Sequence, residues 1–533
     1  MARKFNTAGP CIEGDHYMLD PLARIEVDEV LELIADKRYF VLHAPRQTGK
    51  TTCLLALMKR LNEGGRYRTL YANIEAAQAA RGDVTMGING VVRAVARQAH
   101  DLGVDETLNA WVDAHVHEGP MDLVSGLLSH WARQDPQRPA VLLLDEVDAL
   151  VGDTLISLLR QIRAGYAQRP AAFPQSIVLC GVRDVRDYRL HTPGQEVIAG
   201  GSPFNIKAES LRLGDLTRDE CVALWMQHQA ETGQVFDAAI WPELWEDTRG
   251  QPWLVNALAY ECTWEDRGAR DRTVPITLER YRAARERLIQ SRSTHLEQLG
   301  DKLREPRVHR VMADLLAGED SEGHFSIDDL DYVRDLGLVA PKAPLAIANR
   351  IYREVIPREL TWSAQVRITP AQPQPWYVRP DRRLDAPRLL AALQQFFREH
   401  SDAWIEGFSY KEAGPQLLMQ AFLQRIVNGG GRISREYGLG RKRTDLLLEW
   451  PLDEALGFSG PVQRVVIELK LVKKLPEATL QQGLEQTAAY AAQVGADEAH
   501  LVLFDRRPGV GWDERIWQRA AVHDGREIAV WGA

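Results

Sequence analysis

YFVLHAPRQTGKTTCLLALMKRL, residues 39–61, passes from a short apolar run through a turn into an amphipathic segment. The run Tyr39 to Ala44 reads as a strand buried on both faces, and beyond the turn Leu54, Met58 and Leu61 fall on one face of a helix. Between the two stand Ala44, Pro45, Arg46, Gln47, Thr48, Gly49, Lys50 and Thr51, with Thr52 leading into the helix. A strand-to-helix turn of this composition suits a polyphosphate. Loop and helix N–H groups surround it, the Lys50 ammonium meets its outer charges, and the Thr51 hydroxyl is placed to ligate magnesium. The first glycine usual in this pattern is Ala44 here, a replacement that works only where the backbone φ is negative.

Outward from this stretch the same texture recurs. RTLYANI (residues 68–74), AVLLLD (140–145) and SIVLCG (176–181) are further near-continuous apolar runs separated by amphipathic segments. That pattern predicts an α/β fold with a parallel sheet covered on both sides. The third of the four runs ends in Asp145-Glu146. A carboxylate there is suited to the metal side of a phosphate site, and its neighbour Glu146 to the work of a general base.

Together these motifs resemble the additional-strand P-loop ATPases of the AAA-like and STAND branch, over roughly residues 20–360. The resemblance implies ATP and Mg²⁺ as cofactors. It also implies a polar sensor just after SIVLCG, for which Arg183 is the first candidate and Arg186 its rival, and a lid whose G-x-P turn is Gly250-Gln251-Pro252, with Pro252 beside the nucleotide. Such an architecture works as a switch in which ATP holds lid and core together.

The expected organisation is a lead-in (1–22), an ATPase core (23–210), a helical lid (211–300), a winged-helix-like region (301–367), a Pro-rich linker (368–387) and a C-terminal domain (388–533). The lid opens on Thr217-Arg218-Asp219-Glu220, which has capping-box spacing. In the winged-helix-like region VHRVMADLLAG, SIDDLDYVRDLGLV and LAIANRIYREVI are expected as helix, helix and strand. Its candidate recognition helix carries Asp328, Asp329, Asp331 and Asp335. DNA phosphates would repel it, so a structural or protein-docking role is expected instead. The linker sequence ITPAQPQPWYVRPDRR favours extended backbone through its four prolines.

Beyond the linker come two predicted helices, one around Leu389 to Glu399 and one from Glu412 to Asn428. REYGLGRKRTDLLLEW, RVVIELKL, LEQTAAYAAQ and a final strand LVLF follow. Strand alternation puts Glu468 and Lys470 on one face, and pairing with the strand that begins at Asp445 would bring all three together. Two carboxylates can hold a divalent ion against a phosphodiester while a lysine positions water and offsets charge. Gln486 and Tyr490 share one helical face. Arg441, Lys442 and Arg443, with Lys473 and Lys474, flank the group in a way that suits a nucleic-acid backbone.

This constellation resembles the PD-(D/E)XK nucleases over roughly residues 388–510, with Thr444-Asp445 in place of Pro-Asp. The resemblance implies Asp445 and Glu468 as metal ligands, Lys470 as the catalytic cation, Glu412 as a further acidic residue, Mg²⁺ with Mn²⁺ as an alternative, and Gln486 and Tyr490 at the nucleic-acid side. Asp445 keeps the metal-binding carboxylate despite the lost proline.

At 533 residues with 45% hydrophobic and 26% charged, the chain is a conventional multidomain globular protein. A net charge of −9 excludes a uniformly basic nucleic-acid binder, so any such contact must come from local patches. The five cysteines form no C-x-x-C pair, which argues against zinc and disulfides and fits a reducing cytoplasm. Neither a membrane-length apolar run nor a signal-like N-terminus is present, so no membrane association is expected. The expected function is an ATP-controlled, metal-dependent nuclease acting on DNA. Family analogy alone suggests defence against phage or mobile elements. The alternative is a STAND-type signalling or scaffold ATPase whose C-terminal domain binds nucleic acid or protein without cutting. A second copy or a protein partner is expected at the winged-helix and lid region.

Overall fold

The computed structural model describes residues 3–182, 207–291, 294–317, 326–360, 376–407, 419, 422–423, 431–436, 445–453, 456–472, 476–505, 507 and 510–533. The chain divides into two compact units. One comprises Met1–His295 and Asp331–Arg350, the other Leu296–Leu330 and Ile351–Ala533.

The first unit is built on a five-stranded sheet of β1 (Tyr39–His43), β2 (Arg68–Asn73), β3 (Ala140–Asp145), β4 (Ser176–Gly181) and β5 (Lys207–Arg212), in the order β2-β3-β4-β1-β5. All pairings are parallel. β3 and β4 are buried along their whole length, because both faces of the sheet are covered. Alternate residues serve the two faces. Tyr39, Val41, Leu142, Leu144, Ile177 and Leu179 pack under the helices Val84–Asp101, Leu123–Arg133 and Gly152–Ala164. Phe40, Leu42, Val141, Leu143 and Val178 pack under Val27–Ala35 and Lys50–Glu63. β4 lies between β1 and β3, so the strand that ends at Asp145 is one strand removed from the strand that opens the 44–51 loop.

Four helices follow β5: Arg218–Thr232, Ile240–Thr248, Pro252–Tyr260 and Leu278–Gln290. The capping box at Thr217 forms, with its side chain accepting from Glu220 N while the Glu220 carboxylate accepts from Thr217 N at 2.7 Å. Trp225 is fully buried at the centre of this bundle, and its Nε1 donates to Val255 O at 3.1 Å.

Helices Thr294–Leu303, Pro306–Ala317 and Ile327–Asp335 come next along the chain. The third segment expected in this region departs from the strand-like reading. After a single antiparallel bridge from Val339 to Ile347 it becomes a helix, Arg350–Leu360. Ile351, Tyr352, Val355 and Ile356 are the buried positions, a helical spacing that the β-branched content of the segment concealed.

The second unit carries a mixed sheet of β6 (Arg432–Glu436), β7 (Asp445–Pro451), β8 (Val462–Val472), β9 (Glu498–Asp505), β10 (Trp517–His523) and β11 (Arg526–Gly532). Its order is β10-β11-β9-β8-β7-β6. The β6, β7, β8 meander is antiparallel, while β8 and β9 are parallel and joined by the crossover helix Pro476–Val494. On one face Val465, Ile467 and Leu469 pack with Leu389, Leu390 and Leu393 of the helix Ala386–Gly407. On the other, Val466 and Val472 pack with Leu484, Ala488 and Tyr490 of the crossover helix.

Candidate functional site

The loop 44–51 leaves the carboxyl end of β1 and enters the helix Lys50–Glu63, whose first turn closes with Cys53 N donating to Gly49 O at 3.0 Å. Ala44 is fully buried, its N–H donates to Gly181 O, and its φ is not positive, so alanine is unstrained where a glycine is usual. The loop turns through left-handed backbone at Gln47 (φ 57°) and Gly49 (φ 86°). Thr48 is buried and braces the loop through its hydroxyl to Pro45 O at 2.8 Å. Arg46 is exposed. The Thr52 hydroxyl accepts from Cys11 N at 3.1 Å, tying the lead-in to the start of the helix.

Lys50 is buried, and its ammonium donates to the carbonyls of Ala44 and Pro45, each at 3.0 Å. A buried ammonium held only by neutral carbonyls is well prepared to exchange them for phosphate oxygens, which form stronger, charge-assisted bonds. The Thr51 hydroxyl donates to Asp145 Oδ2 at 2.8 Å. Asp145 has no exposed surface and also accepts from Tyr71 OH at 3.0 Å and Glu146 N at 3.0 Å. A hydroxyl beside a held carboxylate is the oxygen donor set a hard divalent cation takes, so Mg²⁺ fits Thr51 and Asp145. Bound there with a nucleotide, it would offset phosphate charge.

Glu146 sits next along in left-handed backbone, φ 58°. Burial raises its carboxyl above the ordinary value, the Asp148 and Asp145 charges add to the rise, and Lys50 opposes it. A carboxyl raised in this way takes up a proton more readily than an exposed one.

Two contributors carry no local signal in the sequence. Tyr71, on β2, is known as a partner of Asp145 only once β2 is seen to lie beside β3. The segment Asp331–Arg350 belongs to this unit although the chain on either side of it belongs to the other. Asp335 Oδ1 lies 3.8 Å from His43 Nδ1, and a Cβ placed on Gly337 would come within 2.7 Å of Pro45 Cγ, so the segment seats against the root of the loop. At its far end Arg350 Nε donates to Asp247 Oδ1 at 2.5 Å, and the same guanidinium pairs with Glu243. Pro252 takes the first position of the helix Pro252–Tyr260, and Gln251 caps it by accepting from Leu254 N at 2.6 Å. Arg183 and Arg186 lie outside the described residues.

In the second unit Asp445 pairs in register with Glu468 across β7 and β8. Strand alternation places Glu468 and Lys470 on the face with Val466 and Val472, which the crossover helix covers. Glu468 has no exposed surface, and its Oε1 is 2.5 Å from Lys470 Nζ. Gln486 and Tyr490 are buried on the covering helix, and Gln486 Oε1 has no hydrogen-bond partner among the described residues. Of Asp445 only the backbone is described. Glu412, Arg441, Lys442, Arg443, Lys473 and Lys474 lie outside the described residues. Among the described residues no group of three or more His, Cys, Asp or Glu gathers as a metal site, and no helix is long and apolar enough to cross a membrane.

Residues 34–188 match the profile of a family described as an AAA domain. No match was found among curated proteins. The chain is similar in structure to a Walker-type ATPase of Pyrococcus abyssi, at 14% identity and a TM-score of 0.46, covering 66% of this chain and 99% of that one. It is also similar to the Orc1 protein of Aeropyrum pernix solved in complex with DNA, at 14% identity and a TM-score of 0.34, covering 67% and 96%. A third similar structure is the Holliday junction branch migration motor RuvB of Thermotoga maritima, at 15% identity and a TM-score of 0.33, covering 62% and 95%.

Proposed function

We propose, on the premise that residues 34–188 are a P-loop ATPase domain of the AAA kind, that the chain binds and hydrolyses ATP with Mg²⁺ and uses that cycle to control a metal-dependent nuclease in its second unit. In the ATPase, Lys50 and the loop N–H groups hold the triphosphate, Thr51 and Asp145 hold the cation, and Glu146 accepts the proton of the attacking water. The lid turn Gly250-Gln251-Pro252 completes the nucleotide side, with Arg183 as the γ-phosphate sensor.

The observation that carries the nuclease half is the β7–β8 register, which sets Asp445 directly opposite Glu468, with Lys470 two residues further along the same face. An aspartate and a glutamate in register on paired strands are the residue types that suit Mg²⁺ or Mn²⁺. Lys470, already paired with Glu468, is the cation that would offset charge developing on a cleaved phosphodiester. Glu412 is the proposed further acidic residue of the metal site, and Gln486 and Tyr490 with Arg441 and Arg443 complete the proposed nucleic-acid side. DNA is the proposed substrate.

The test is incubation of the full chain with linear, circular and single-stranded DNA and Mg²⁺ or Mn²⁺, with and without ATP. Cleavage by wild type that disappears in Lys470→Ala and changes its ATP dependence in Lys50→Ala is the expected result. If wild type and Lys470→Ala leave every substrate equally intact, the C-terminal unit binds without cutting and the scaffold alternative stands.

A further inference from the structure

Arg24 ends the short 3-10 helix Pro21–Arg24, well ahead of the phosphate loop in sequence. Its guanidinium is partly buried and reaches two backbone carbonyls. NH1 donates to Thr48 O at 2.5 Å, inside the phosphate loop. Nε donates to Gly214 O at 2.9 Å, and NH2 donates to that same carbonyl.

Gly214 lies in the connection, here termed the hinge, between β5 and the helix Arg218–Thr232. On one side of it Leu213 N donates to His43 O at 2.9 Å, on the other Leu216 N donates to Gly250 O at 2.9 Å. A continuous polar line therefore runs from the phosphate loop through Arg24 and the hinge to the Gly250-Gln251-Pro252 turn. A planar guanidinium carries five N–H donors in fixed directions, which lets one side chain hold both carbonyls at once.

The consequence for the loop is geometric. The Thr48–Gly49 peptide is trans. Its carbonyl and N–H point in opposite directions, so a carbonyl drawn toward Arg24 sends the Gly49 N–H away from it, into the loop. A Cβ on Gly49 would sit 3.2 Å from Arg24 NH1, so the close approach as well as the positive φ calls for glycine there. The Asp215 carboxyl beside the hinge is raised by burial and drawn back down by Arg212 and Arg24.

We infer that Arg24 is a positioning residue of the nucleotide site: it fixes the Gly49 N–H toward the bound phosphates and ties that orientation to the lid hinge at Gly214. The inference rests on the phosphate loop being a nucleotide site.

The test compares Arg24→Ala, Arg24→Lys and Lys50→Ala in the full chain by ATP titration, steady-state hydrolysis and thermal denaturation, each with and without millimolar guanidinium. Arg24→Ala is expected to weaken ATP binding about 10- to 100-fold, the span of one to two lost charge-assisted hydrogen bonds. Guanidinium should restore most of that loss in Arg24→Ala and none in Lys50→Ala. Arg24→Lys should fall between, since one ammonium cannot hold both carbonyls in the same directions. If Arg24→Ala does not fold, Arg24→Lys decides, and unchanged ATP affinity in it overturns the inference. Unchanged affinity and turnover in Arg24→Ala overturn it too, as does a loss that guanidinium leaves in place. If Lys50→Ala itself binds ATP as wild type does, the nucleotide site has been misassigned. If Lys50→Ala loses ATP while Arg24→Ala keeps it, only the role of Arg24 falls.

Discussion

Replacing Gly250 with alanine tests whether the turn Gly250-Gln251-Pro252 is held by close backbone packing. Gly250 has φ +80°, and a Cβ built there would lie 1.8 Å from Leu216 O and 2.8 Å from Leu216 C. Left-handed backbone costs an alanine about 1–2 kcal/mol. The overlap is with backbone rather than a movable side chain, so the two segments must separate and the Leu216 N–H···O Gly250 hydrogen bond, 2.9 Å long, is lost with them. Losing a buried hydrogen bond costs a further ~1–3 kcal/mol, for a total of about 2–5 kcal/mol. Gly233 supplies the control. It has φ +75° at the C-terminus of the helix Arg218–Thr232 and nothing within 4 Å of its would-be Cβ, so Gly233→Ala carries the backbone cost alone. Urea denaturation followed by tryptophan fluorescence measures both variants, and hydrogen exchange at the Leu216 amide locates the effect. Gly250→Ala should be the less stable by about 2 kcal/mol and should exchange that amide faster. Equal costs in the two variants, or unchanged exchange at Leu216, would refute the packing argument.

Further predictions concern Glu146, the Arg350 ion pair and the pH response of His295. Glu146→Gln should bind ATP normally and lose about 10²- to 10⁴-fold in hydrolysis, measured by single-turnover phosphate release. Arg350→Met should destabilise the first unit by about 2–3 kcal/mol in the same urea assay, because Asp247 stays fully buried and keeps, among the described residues, Tyr281 and Arg285 as its side-chain partners. His295, stacked on Trp253 at 4.8 Å, is pushed down to about 4 by burial. The unfolded chain takes up its proton below pH ~6.5, whereas the folded chain resists it, so this contribution is whole above that pH and is lost as pH falls toward 4. The loss reaches about 2 kcal/mol by pH 5. His295→Phe should flatten the curve between pH 7 and 5, and an unaltered slope in that variant would remove His295 as the cause.

What the sequence determined by itself was local. A strand, turn and helix around Lys50 and Thr51, four near-continuous apolar strands, the Asp145-Glu146 strand end and the capping box at Thr217 each follow from a periodicity or a spacing within one element, and short-range sterics and hydrogen bonding enforce them. The E-x-K alternation at Glu468 and Lys470 was legible for the same reason. Strand pairing and long-range partners were not. β5, β6 and the β10–β11 hairpin went unread because their sequences are mixed in polarity, and LAIANRIYREVI was misread because β-branched residues suit a helix when packing rewards its period.

Only the tertiary structure put β4 between β1 and β3, set Tyr71 on Asp145, drew Asp331–Arg350 against the first unit and ran Arg24 from the loop to the hinge. Each of these joins residues far apart in the chain, and no local propensity encodes them. They are selected by which apolar faces can be buried together and by the need to satisfy every polar group buried with them.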